Sequence, residues 1–373
     1  MNRIRSESDK VSFENCCIVD GERWFFANQF NALCCMNRNN EIQIKGIIPG
    51  EYDSNNYLVS DIKYFDKKIY LIPRGASALI VYSIEKNDFK RVDIIEPTSN
   101  NKNPYIEYLK FSVGAIYENK LYMIPRTYPA IVIFDMINET LEYETEWLDM
   151  LEEYIFEGEA FFWTDYCIRN DELILAGANS DCIIRRSFTT KKYSLTHIFN
   201  DCNGYSGIEY VENKLFLASR KNGRIICIDT DEGQTVQSLV MPSGFGVKMI
   251  IGFSRLIYLN GYIYAIPLWA NYFIRINVSN LSIDVIKDYD SERGESGEVA
   301  TCCAWIEENQ ICIDNNLSDI IDCFDSSGKE SRIELKLGDQ FRRDYIKLFT
   351  EKGIVMYEKV FFSIGHFFEC ISE

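Results

Sequence analysis

The chain has 373 residues, a formal charge of −17 and a sequence pI near 4.8. That balance argues against nucleic acid as the main ligand, because phosphate binding needs Lys and Arg gathered on one face and no basic run exists here. No apolar run is long enough to span a bilayer, and the polar opening MNRIRSESDK has no secretory h-region, so the expected location is the cytoplasm.

Residues 1–11 are a charged lead-in that either stays loose or supplies a closing strand, ahead of a single domain over residues 12–373. The first pattern follows, with FENCCIV, RWFFAN, ALCCMN and EIQIKGII reading as four strands. A second copy runs from Tyr57 to Ile95 and contains IKYFDKKIYLIPR, Ile62–Arg74. After a polar loop, Pro97–Tyr108, the third copy repeats it closely as GAIYENKLYMIPR, Gly114–Arg126. The segment Thr145–Trp163 differs in kind. Its Trp147, Leu148, Leu151 and Ile155 form a helical stripe, so a short helix is expected near 145–160.

Copies four and five run from Phe162 to Met241, with IEYVENKLFLASR (Ile208–Arg220) as the clearest match. PSGFGVK, Pro242–Lys248, lacks the length and Lys-Ser/Thr ending of a phosphate-binding loop and reads as a turn. Copy six contains LIYLNGYIYAIPL (Leu256–Leu268) and ends in the acidic loop Asp288–Glu298, whose spacing is not that of a calcium loop. Copy seven occupies Val299–Leu337. The last, Tyr345–Glu373, offers three strands in YIKLFTE, GIVMYE and FFECIS. It stops where a fourth should begin, which suggests that the two chain ends pair.

The equivalent positions Phe25, Tyr70, Tyr122, Ile174, Phe216, Tyr264, Cys312 and Val355 recur every roughly 40 to 50 residues, the period of propeller blades. One four-stranded sheet cannot bury both faces alone, and radial stacking solves that. The expectation is an all-β propeller of about eight four-stranded blades, or seven if the terminal copies fuse. Ten residues before the reference position stands Ser60, Ser112, Thr164, Ser206 or Ser254, with Thr301 offset by one. Such hydroxyls are expected to bond backbone groups where the chain enters the first strand.

The motif of an Asp, Glu or Asn turn, a hydrophobic-Tyr pair and a strand closing in Asp resembles kelch-type β-propellers, although Ile72-Pro73, Ile124-Pro125 and Ile266-Pro267 stand where kelch repeats carry a double glycine. RIICIDTDEGQTVQSL, Arg224–Leu239, resembles a quinoprotein-type blade instead. The kelch resemblance allows lyase, isomerase or cyclotransferase activity.

Arg74, Arg126 and Arg220 each follow the second strand of their copy, and Lys359 does so in the last. Leu268 takes that place in copy six, with Trp269 beside it. Loops at this position are expected to share a face with the entries to the first strands, where Tyr105, Trp163, Tyr205 and Phe253 stand. Arg pairs with carboxylate or phosphate, and aromatic rings offer flat apolar area. His197 and His366 have no partners at metal-ligand spacing, so no metal, cofactor or catalytic residue is assigned. The thirteen cysteines are odd in number, contain no C-x-x-C and sit mostly in apolar runs, as buried thiols do. The expected function is a non-catalytic recognition scaffold for a protein or peptide. The alternative is an enzyme acting on an anionic sugar or a peptide terminus.

Overall fold

The structure, a computed structural model, describes residues 11, 13, 15–28, 31–51, 57–95, 109–156, 163–198, 204–230, 235–290, 301–315, 320–335 and 337–351. It is an all-β protein, a β-propeller of seven four-stranded antiparallel blades. In chain order the first two are β1–β4 (Cys16–Val19, Glu22–Ala27, Ala32–Met36, Ile42–Ile47) and β5–β8 (Val59–Phe65, Lys68–Pro73, Ala78–Ser83, Asp88–Asp93). Next come β9–β12 (Phe111–Tyr117, Lys120–Pro125, Ile131–Asp135, Thr140–Glu144) and β13–β16 (Trp163–Arg169, Glu172–Gly177, Cys182–Ser187, Tyr193–His197). Then follow β17–β20 (Tyr205–Val211, Lys214–Ser219, Ile225–Asp229, Thr235–Ser238) and β21–β24 (Phe253–Leu259, Tyr262–Pro267, Tyr272–Asn277, Ile283–Asp288). The last blade is β25–β28 (Thr301–Glu307, Gln310–Asn315, Ile320–Phe324, Glu330–Glu334).

Every blade opens with a hairpin turn of two residues. These are Asp20-Gly21, Asp66-Lys67, Glu118-Asn119, Asn170-Asp171, Glu212-Asn213, Asn260-Gly261 and Glu308-Asn309, and the first residue of each has φ between 45° and 54°. Turns with positive φ match the right-handed twist of the flanking strands, which is why Asn, Asp and Gly recur there.

The chain divides into two compact units, Met1–Ile95 with Cys303–Phe324 and Glu330–Glu373, and Glu96–Cys302 with Asp325–Lys329. In the first unit, Phe13 stacks on Phe25 at 3.7 Å, inside a cluster that also holds Met36, Cys312, Cys323, Phe341 and Tyr345. A second cluster joins Trp24, Phe26 and Leu33 to Ile69, Leu71, Ile80 and Tyr82. Each such side chain contributes about 1.5–3 kcal/mol when fully buried.

In the second unit, helix α1 (Trp147–Leu151) and the 3-10 turn Glu152–Tyr154 fall where a helical insertion is expected. Trp147 and Leu151 are buried, and the indole N–H of Trp147 donates to Glu144 O at 3.1 Å. Nearby, Arg186 is 1% exposed and its Nε and Nη2 donate to the two carboxylate oxygens of Glu144 at 2.6 and 2.5 Å. Tyr193 also donates to Glu144, and the Arg186 guanidinium lies 5.1 Å from the Tyr122 ring centre. This group ties β12 to β15 and β16.

Seven blades, not about eight, corrects the first count and matches the alternative. The route differs from the expected fusion, because β1–β4 form a complete blade from residues 16–47. The expected strand YIKLFTE lies instead in helix α2 (Asp339–Glu351). Phe341 and Tyr345, four residues apart, are buried together in the first unit's core, and that spacing suits a helix face rather than a strand. The reference position Val355, the strands expected after it and residues 1–10 lie outside the described residues.

The hydroxyls behave as structural groups. Ser112 donates to Trp163 O and Thr164 donates to Tyr205 O at 3.0 Å, each crossing to the next blade. Ser60 and Ser254 donate to Ile72 O and Ile266 O, both at 3.3 Å, and Thr301 to Pro267 O at 2.5 Å. In the first blade Asn15 takes this place and its side-chain amide donates to Ser60 O. Ser206 Oγ, also buried, finds no hydrogen-bond partner among the described residues.

Candidate functional site

Backbone geometry brings the loop after each second strand beside the entry to the first strand. In the second unit, the N–H groups of Arg126, Arg220 and Leu268 donate to Lys110 O, Gly204 O and Leu268's counterpart acceptor Gly252 O, at 2.8, 2.9 and 2.9 Å. Arg74 N donates likewise to Leu58 O at 2.8 Å in the first unit. The first strand slips register at this end, as between Phe253 and Arg255, which turns the chain out of the ladder.

The side chains at these positions divide by role. The Arg74 guanidinium lies over the Tyr57 ring, 4.8 Å from its centre. Arg220 Nη1 donates to Ala178 O at 3.3 Å and to Asn179 Oδ1, so it reaches the loop after β14. Arg126 is half-buried. Trp163, Tyr205 and Phe253 each open an innermost strand and are fully buried. Trp163 meets Trp147 edge to face at 5.7 Å, and Phe253 stacks on Phe245 at 5.7 Å. These rings underlie the loops. Tyr105 and Lys359 lie outside the described residues.

Arg220 and Trp269 are brought together through one backbone unit. Gly252 N donates to Arg220 O at 3.3 Å, and Gly252 O accepts from Trp269 N at 3.1 Å. A Cβ on Gly252 would stand 2.8 Å from Gly223 Cα, so no larger residue fits without a backbone shift. The segment leading to Gly252 is pinned along its length. Lys248 N donates to Trp269 O at 3.1 Å, and Asn271 accepts from Gly246 N at 2.9 Å while donating to Gly244 O at 2.8 Å. Phe245 and Val247 pack into the second unit's core.

Two large apolar side chains of this segment point outward: Met249 is 41% exposed and Ile250 53%. The cations Lys221 and Arg224 are exposed on the loop after β18, and Lys248 pairs with Asp290 at 3.1 Å. The expected turn, Pro242–Lys248, covers only the first part of this segment and stops short of Met249 and Ile250. The signal that could have found it is the apolar run Met249-Ile250-Ile251 placed between glycines, where a solvated turn would be polar.

A second cluster lies on the innermost strands of the same unit. Asp165 on β13 is 2% exposed, accepts from Ile208 N at 3.4 Å and stands 3.8 Å from Arg255 Nε on β21. Burial pushes its carboxyl up to about 7, against the pull of Arg255 and two backbone N–H groups. Burial also raises Glu209 on β17, which accepts from Tyr210 N at 3.0 Å and Tyr258 N at 3.2 Å. Gly207 permits the close approach, since a Cβ there would meet Leu256 N at 3.0 Å.

His197 closes β16 with its ring 5.3 Å from that of Tyr154. Among the described residues, no three His, Cys, Asp or Glu side chains gather as a metal site requires, and no helix is long and apolar enough to cross a membrane.

The fold and this geometry define a β-propeller. It is similar to virginiamycin B lyase from Staphylococcus aureus, solved as a catalytically inactive variant with quinupristin, at a TM-score of 0.60 and 13% identity over 83% of this chain and 93% of that one. PorZ, a surface component of the type-IX secretion system of Porphyromonas gingivalis, is similar at 0.57 and 11% over 88% of this chain and 39% of its own. A chain of the mitotic checkpoint complex matches at 0.54 and 9% over 90% of this chain and 95% of that one. Identities this low show a shared fold, on which many functions are built. No family model matches the sequence, and no curated protein sequence does.

Proposed function

We propose that the protein is a non-catalytic recognition scaffold, one propeller domain over residues 12–373, that binds a protein or peptide through the loop face carrying Arg220 and Trp269. One observation carries this reading: Met249 and Ile250 are exposed on a segment whose backbone is held at several points. Apolar side chains presented on a pre-ordered backbone lose little entropy on binding, which is how interface anchors work. The neighbouring Lys221, Arg224 and Lys248 suit a partner segment in which carboxylates flank an apolar side chain, and an anionic small molecule could use the same cations. Arg126, and Arg74 in the first unit, hold the equivalent position in their own blades; Trp163, Tyr205 and Phe253 support the face from beneath. Tyr105 and Lys359 are proposed to contribute to the same binding. The repeat is read as a degenerate kelch-like one, and the thiol-rich core suits the cytoplasm.

The test compares wild type with Met249→Ser/Ile250→Ser in a pull-down from native lysate, alongside thermal melts. Equal melting with loss of the captured proteins supports the reading; an unchanged set of proteins contradicts it. Joint reversal of Arg74, Arg126 and Arg220 to Glu extends the test to the arginine positions.

A second reading, an enzyme acting on an anionic sugar or a peptide terminus, is favoured by the Asp165–Arg255 cluster. A carboxyl protonated near neutrality beside a cation is suited to general acid chemistry. Turnover of an anionic oligosaccharide or peptide that disappears in Asp165→Asn, with partner capture intact, would support it.

A further inference from the structure

We propose that Cys312 and Cys323 form an oxidation site, closing to a disulfide across the last blade when a peroxide is present. The two stand directly opposite each other on β26 and β27, with their sulfurs 3.2 Å apart. This is closer than two sulfurs approach in ordinary contact, and it leaves only a short movement to a bond length of about 2 Å.

The blade geometry favours this pair. The matching positions in the fifth blade are Phe216 and Cys227. That ladder hydrogen-bonds on either side of them, with Thr230 N donating to Asn213 O at 2.9 Å and Ser219 N donating to Arg224 O at 2.8 Å. Counting by twos from those bonds places Phe216↔Cys227 in a non-hydrogen-bonded row, where facing side chains come closest. Cys312↔Cys323 holds the same row of its own blade. Cys34 faces Phe25, Cys35 faces Trp24, Cys167 faces Ile174 and Cys182 faces His197. Cys16-Cys17 and Cys34-Cys35 are sequence neighbours, which point to opposite faces of a strand.

The arrangement also orders the chemistry. The Cys312 S–H donates to Cys323 Sγ, and this bond holds the Cys323 thiol below the usual cysteine range. We assign Cys323, the acceptor of that hydrogen bond, as the first nucleophile. Its sulfur attacks hydrogen peroxide, the O–O bond breaks, and a sulfenic acid and one water result. Cys312 Sγ then attacks Cys323 Sγ; the S–S bond forms, the S–O bond breaks, and the hydroxyl leaves as a second water with the Cys312 proton. Two thiols lose two electrons and one peroxide becomes two waters. Both residues are 2% exposed, so a small oxidant reaches them more readily than a protein thiol would.

The experiment uses the purified full chain, reduced, desalted and titrated with hydrogen peroxide. It is then denatured, alkylated with iodoacetamide and mapped by mass spectrometry. Trypsin leaves both cysteines on one peptide, since no Lys or Arg lies between Cys312 and Cys323, whereas cleavage at Asp314, Asp319 and Asp322 separates them. The expected result is joint loss of alkylation at both positions, a linked species lighter by two hydrogens, reversal by dithiothreitol, and continued alkylation of Cys167 and Cys182. In Cys312→Ser, dimedone should label Cys323 as the sulfenic acid. If this variant fails to fold, the wild-type map decides alone. Full alkylation of both residues at peroxide levels that oxidise the half-buried Cys16 or Cys17 overturns the proposal, as does oxidation without the linked species.

Discussion

Two arginines of the second unit show how one residue type takes opposite work. Arg186, one residue before the end of β15, is sealed from water and holds both oxygens of Glu144 from the neighbouring blade. Arg220, one residue past β18, is half-buried and donates to Ala178 O and Asn179 Oδ1 on a loop. A charge buried this deeply fastens the two strands that share it, because removing its partner strands it in a low-dielectric site. A charge at a loop can hold the chain and still lie where a ligand arrives. Position in the blade, more than side-chain type, separates what fastens the fold from what faces a partner.

The sharpest way to break this contrast is at Arg186. Arg186→Leu leaves the Glu144 carboxylate buried without its cation and should lower unfolding free energy by about 3–5 kcal/mol in denaturant titration. The double variant Glu144→Leu/Arg186→Leu should recover a large part of that loss. Equal destabilisation in the single and double variants would show that packing, not charge, sets the effect.

The next effect is in pH dependence. Asp165 is raised from 3.8 to about 7 in the folded chain. A raised carboxyl favours the folded state fully below the unfolded value, and the benefit falls away as pH climbs from about 4 to about 7. Asp165→Asn should therefore flatten the stability profile in that window, by up to about 4 kcal/mol between its ends. A slope identical to wild type would mean that Asp165 is already ionised in the fold.

A smaller change is expected at Gly252, where an added methyl meets the Gly223 backbone. Gly252→Ala should reduce stability by about 1–3 kcal/mol and, by moving the segment, weaken partner capture as well. Met249→Ser/Ile250→Ser should stay within about 0.5 kcal/mol of wild type, since both side chains already meet solvent. The two variants separate the backbone that positions the face from the side chains that use it.

Much of the architecture was legible because its signals are local. The strand–turn–strand spacing and the Asp, Asn and Gly residues at the positive-φ turns repeat along the chain, so blade positions such as Tyr70, Tyr122 and Tyr264 fall into register. The helix Asp339–Glu351 was misread because Tyr345, Ile346 and Phe349 favour strands, and the four-residue spacing of Phe341 and Tyr345 outweighed that preference once α2 could pack on β4. The Glu144–Arg186 pair was invisible: its members are 42 residues apart in different copies, and only the stacking of two blades makes them neighbours. The exposed Met249 and Ile250 were hidden by their setting, since glycine-rich chain reads as a turn whether or not it carries a face.

Hydrogen–deuterium exchange on the protein with and without a captured partner tests the central claim most directly. The account predicts slowed exchange at residues 247–252 and 268–271, and along the loop 220–224, with the β12–β16 staple unchanged. Protection confined to the outer strands, with those three loops exchanging as in the unbound protein, would contradict it.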